Sequence, residues 1–90
     1  METKKSYPLA SLPCAAVNRD GTVDLWSVPE TGDYAADNAT GRHIAEAVLS
    51  DMRDSGAPIL LGHVAKAIAA KGRHGGVEVG FWHTIASATI

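Results

Sequence analysis

Between Ile44 and Gly72 the chain writes the same apolar pattern twice, and no other feature restricts its fold so much. Ile44, Ala45, Val48, Leu49 and Met52 follow the i, i+1, i+4, i+5, i+8 rhythm of an amphipathic helix, and Gly56 supplies its stop. Leu60, Leu61, Val64, Ala67 and Ile68 repeat the stripe, with Pro58 suited to the first turn and Gly72 following Lys71 as the second stop. Only Ser55-Gly56-Ala57 separates the two, so the helices are expected as antiparallel neighbours. The first should begin between Asp37 and Thr40. Asp37, Asn38 and Thr40 are all acceptable N-caps there, and Arg42 and Glu46 are spaced as an i,i+4 pair.

On the N-terminal side, Cys14-Ala15-Ala16-Val17 leads through Asn18-Arg19-Asp20-Gly21 into Thr22-Val23-Asp24-Leu25-Trp26. Asn and Asp tolerate turn geometry and Gly21 can supply a positive φ, so residues 14–28 read as a β-hairpin that Pro29 ends. Alternation places Val23, Leu25 and Ser27 on one face and Thr22, Asp24 and Trp26 on the other. Residues 29–37 read as a loop with Tyr34 embedded in it.

The segment from Val77 to Ile90 carries two periods. A strand would align Val77, Val79, Phe81, His83 and Ile85; a helix would align Val77, Phe81, Ile85 and Ala88 with Trp82 alongside. Fourteen residues suit a helix better than a strand. The expected fold is therefore a small α+β domain: an N-terminal β-hairpin packed on an antiparallel helix pair, completed by a C-terminal third helix. The alternative is a C-terminal strand that joins the sheet.

Ninety residues support one domain, spanning 1–90, with residues 1–12 expected as a loosely ordered N-terminal arm. Aromatic residues make up only 6% while alanine fills fifteen positions, so the core must be built mainly from small aliphatic groups. A single cysteine excludes an intramolecular disulfide and fits a reducing compartment. Lys4 and Lys5 precede the mildly apolar stretch Tyr7 to Val17, but Pro8 and Pro13 break it, and Leu12 and Pro13 before Cys14 are wrong for a lipoprotein signal. No apolar run is long enough to span a bilayer, and a cytoplasmic location without membrane association is expected.

The formal charge of −2 is unevenly spread: −1 over residues 1–30, −3 over 31–55 and +2 over 56–90, the last with three of the four histidines. A pI near 6.0 argues against bulk attraction to nucleic acid. Lys66, Lys71, Arg73 and His74 nevertheless cluster near the Gly-rich turn between the second helix and the last segment, where a helix-turn-helix-like nucleic-acid regulator would carry them. The segment from Val77 lacks the Arg, Lys, Asn or Gln that read base edges, so such binding would be weak and salt-sensitive.

Catalytic and metal constellations are sparse. The four histidines fall at 43, 63, 74 and 83, no two at ligand spacing, and His43 with Glu46 makes a lone i,i+3 pair that lacks two further ligands. His63 borders the second apolar stripe. Cys14 sits in an Ala-rich strand rather than beside a cation, where a thiol would be activated. Gly-x-Ser-x-Gly, phosphate-loop and dinucleotide fingerprints are absent from the sequence. Asn18 to Asp24 passes for a calcium loop only until the register is checked, which puts Ala16 and Ser27 at the end ligands. No catalytic role, metal or cofactor is expected. What remains is recognition of another protein, or of a second copy of the chain, by an adaptor or small inhibitor of the kind phages and mobile elements encode. Trp26, Tyr34 and Trp82 are the expected anchors, with Glu46, Asp51 and Asp54 of the acidic helix as the rim.

Overall fold

A computed structural model describes residues 12–88. All but the last residue of the expected N-terminal arm lies outside the described residues; that residue, Leu12, is buried in the core. Two short strands, β1 (Ala16–Val17) and β2 (Val23–Asp24), form an antiparallel hairpin, followed by α1 (Tyr34–Ser55), α2 (Ile59–Lys71) and α3 (Gly76–Ala88). The small α+β fold with a third C-terminal helix is the one the sequence implied, and the strand alternative for the last segment is not adopted.

The hairpin pairs Ala16 with Asp24 and Val17 with Val23. Its turn is closed by the Asn18 amide donating to the Thr22 carbonyl at 2.8 Å, and by the Asp20 carboxylate accepting from both the amide and the hydroxyl of Thr22. The two faces differ in burial. Val23 is 40% exposed and Ser27 is exposed, whereas Trp26 and Val28 are buried. The reason is local: the ladder lasts only two residues, and beyond it the Asp24 carboxylate accepts the Trp26 amide at 3.1 Å. That turn swings the indole inward.

Helix α1 starts earlier than expected. Asp33 is its N-cap, accepting from the amides of Ala35 and Ala36. Asp37, an expected cap, instead reaches back to the amide and hydroxyl of Thr31. Tyr34 therefore belongs to the first helical turn rather than to a loop. The stops fall as read: Gly56 and Gly72 both take left-handed φ, 66° and 67°, and their amides cap the helices they end.

The two apolar stripes face the core through Ile44, Ala45 and Val48 of α1 and Leu60, Val64 and Ile68 of α2, while Val77, Phe81 and Ile85 complete it from α3. Although α1 and α2 are joined by a short turn, α1 lies most extensively against α3. Glycines make this possible. A Cβ on Gly41 would fall on the Val77 carbonyl oxygen and 2.7 Å from the Phe81 amide nitrogen. One on Gly80 would fall on the Asn38 carbonyl oxygen and 2.9 Å from its carbon. The obstacles are backbone on both sides, so neither helix can accommodate a side chain without separating.

Gly41→Ala or Gly80→Ala should therefore lower unfolding free energy by about 2–3 kcal/mol, the upper range for overpacking. Gly62 lies within α2 with nothing near its missing Cβ. Gly62→Ala should raise stability by about 0.5–1 kcal/mol through helix propensity alone. Urea denaturation of the three variants checks the contrast, which disappears if the helices are not in backbone contact.

Candidate functional site

The connection from α2 to α3 is held by a buried polar cluster. Glu78, in the first turn of α3, is 2% exposed. One of its carboxylate oxygens accepts the Trp26 indole N–H at 2.8 Å, and the other accepts the Gly75 amide at 2.8 Å. Arg73 arrives from the turn. Its Nη1 donates to the Val28 carbonyl at 2.6 Å and its Nε to Glu30 at 3.2 Å. Its Nη2 lies 3.1 Å from Glu30 and 3.2 Å from Glu78 as an ion pair without an aligned hydrogen bond. Burial pushes the Glu78 carboxyl upward, but the indole, the backbone amides and the Arg73 charge outweigh it and hold it below its ordinary range.

This cluster redefines several expected site residues. Trp26 is 0% exposed, edge-on to Phe81 at 5.1 Å, so it is a core residue and is withdrawn as a contact anchor. The cause is the turn after Asp24 together with an N–H that finds a buried carboxylate. Arg73 is committed to Val28, Glu30 and Glu78, and Lys71 pairs with Asp24 at 2.7 Å. Of the four cations expected on a nucleic-acid face, Lys66 and His74 stay exposed without a protein partner among the described residues. Tyr34, 62% exposed, stands at one end of α1, and Asp51 and Asp54 at the other, about 25–30 Å away at 1.5 Å per residue. With Glu46 exposed midway, these residues line a helix rather than converge on one spot.

Trp82 is different. It is 38% exposed, yet its ring is held edge-on to Phe81 at 5.0 Å. It stands on one wall of a largely apolar groove of about 790 Å3 between α2 and α3. Ala65, Ile68 and Ala69 form the α2 wall, Val79, Trp82 and Ala86 the α3 wall, and the turn with Arg73 and His74 closes one end. Glu78, its one carboxylate, is already occupied by Trp26, Gly75 and Arg73. The small residues at 65, 69 and 86 were not singled out in the sequence. Their signal is alanine at i,i+4 on the side of α2 away from its core stripe.

Cys14 is fully buried, and burial pushes its thiol up to about 11. His43 and Glu46 share a shallow cleft with Pro13 and Thr40, and no group of three or more metal-ligating side chains occurs among the described residues. Nor is any helix of the described residues long and apolar enough to cross a membrane. No protein-family model, curated protein or solved structure matches the chain.

Because folding lowers the Glu78 and Asp37 carboxyls, both contribute stability that is complete at neutral pH and is lost as pH falls below their ordinary values, 4.5 for Glu78 and 3.8 for Asp37, through the depressed folded ones. Glu78→Gln should cost about 1–3 kcal/mol at pH 7, by leaving Arg73 with one carboxylate instead of two, and distinctly less at pH 3. Urea midpoints at the two pH values measure this; an equal loss at both would show that the charge plays no part.

Proposed function

We propose that this protein is a small, non-catalytic protein-binding module that receives an amphipathic helix of another protein in the groove between α2 and α3. The observation that carries the reading is Trp82, a large aromatic left partly exposed but fixed by Phe81 on the wall of an apolar groove. A rigid aromatic at the centre of a concave apolar surface is the usual form of an interface anchor, because little rotamer freedom is lost on binding. Val79, Trp82 and Ala86 cover about 10 Å along α3. That span matches two turns of a helix presenting apolar residues at i, i+3 or i+4, and i+7. Alanines at 65, 69 and 86 let the incoming backbone approach closely.

The rim favours an acidic partner. His74 and His83 stand exposed at the groove beside the Arg73 guanidinium, and its single carboxylate is already engaged. A second copy of the chain is a poorer occupant. Its acidic helix α1 buries its apolar stripe in its own core. An adaptor or inhibitor acting in the cytoplasm is consistent with these properties. A nucleic-acid role has less support, since the exposed face of α3 offers Val79, Trp82 and Ala86 rather than base-reading side chains.

The test is selection from a displayed library of helical peptides with varied apolar stripes and flanks. Enriched peptides should carry acidic flanks, and Trp82→Ala should weaken them by about 30-fold, corresponding to about 2 kcal/mol. Failure to enrich any peptide over the Trp82→Ala protein would overturn the reading.

A further inference from the structure

A second concavity, of about 380 Å3, lies between α3 and the first half of α1. Asn38 and Arg42 form one wall, and Gly80, His83, Thr84 and Ser87 the other. The backbone contact between Gly80 and Asn38 brings these two rows of side chains together. No carboxylate lines the cleft. Glu46, one turn beyond Arg42, lines a second cleft near Pro13 that Arg42 also borders, yet among the described residues Arg42 enters no ion pair. Lys71 and Arg73, by contrast, are both neutralised by carboxylates within the fold.

The polar inventory is one-sided. Arg42 offers a planar fork of donors without a protein acceptor, and the His83 ring and the Thr84 hydroxyl are likewise without hydrogen-bond partners among the described residues. The Ser87 hydroxyl donates to the His83 carbonyl at 2.9 Å. One amide hydrogen of Asn38 is used on the Gly76 carbonyl at 3.1 Å, which holds that side chain at the cleft and leaves the other hydrogen for a ligand. Guanidinium, imidazole, hydroxyl and amide donors around one small space match an acceptor with three oxygens and negative charge, and guanidinium prefers phosphoryl geometry.

We propose that the cleft between α1 and α3 binds the phosphoryl group of a small phosphorylated ligand. Arg42 takes two of its oxygens, and His83 and Thr84 close on the third. The site is independent of the groove on the other flank of α3, although His83 borders both. Binding to so open a cleft is weak, in the millimolar range, and its selectivity is the diagnostic property.

Amide and arginine side-chain NMR signals of the full chain are followed during titration with inorganic phosphate, phenyl phosphate and acetate at constant ionic strength. Saturable shifts at Arg42, His83 and Thr84 are expected with both phosphates, at least about tenfold tighter than with acetate. Arg42→Gln should abolish saturation, and Arg42→Lys, which keeps charge but loses the fork, should bind about tenfold more weakly than the native chain. Arg42 is exposed, so both variants should keep the native spectrum elsewhere. Equal affinity for acetate and phosphate, unchanged binding by Arg42→Gln, or shifts without saturation would each overturn the proposal.

Discussion

The rest of the structure depends on the backbone contact between α1 and α3. Where Gly41 meets the Val77 carbonyl and Gly80 meets the Asn38 carbonyl, nothing but hydrogen separates the two helix backbones. So close an approach gathers dispersion contacts over both helices without large side chains, which suits a protein with few aromatics and many alanines. It also brings Phe81 directly under the hairpin. There Trp26 packs on it edge-on, and the two rings fill the centre of a core otherwise made of Val, Ile, Leu, Ala and Cys. With α1 occupied by α3, α2 is left as the less embedded helix, and the groove on its far side is a consequence.

A second constraint fixes the direction of the chain at the turn into α3. Glu78 would be costly to bury alone, but it accepts from an indole, accepts from a backbone amide at its own helix start and faces a guanidinium. The pieces come from four places in the sequence: Trp26 after the hairpin, Val28 and Glu30 in the following loop, Arg73 and Gly75 in the turn, and Glu78 itself. An apolar core of this size could tolerate slippage of α3. A carboxylate that must meet two donors and a cation cannot, so the cluster acts on register more than on net stability.

What was legible in the sequence was what repeats along it. Both helical stripes, both glycine stops and the hairpin turn are local patterns, and each takes the expected form. What was not legible depended on partners distant in the chain. Alternation put Trp26 opposite Val23 and Ser27 without saying which side faces the core; the turn after Asp24 and the distant Glu78 carboxylate bring the indole inward. The early start of α1 was missed because residues 29–37 read as a loop, so Asp37 and not Asp33 was taken as a cap. Only the Thr31 backbone, folded back onto Asp37, decides which of them does the capping. Gly80, which weakens either reading of its segment taken alone, is required once α1 lies against it. Lys71 looked free because Asp24 lies forty-seven residues away in sequence, and Arg73 because Glu30 lies forty-three away and the nearer Glu78 reaches it only once the turn has folded.

The aromatics show how a small core sets the surface. Trp26 and Phe81 exhaust the central volume, so Trp82, next along α3, turns outward while its ring still rests on Phe81. Its exposed face is thus held by the same packing that stabilises the fold, and its orientation is fixed before any partner arrives. On the opposite flank of α3 the close crossing leaves no room for side chains at 41 and 80, and the polar groups at 38, 42, 83 and 84 rise on either side of it. One helix, pressed against its neighbour through glycine, therefore presents an apolar recess on one side and a donor-rich cleft on the other. Any change that separates α1 from α3 should disturb both.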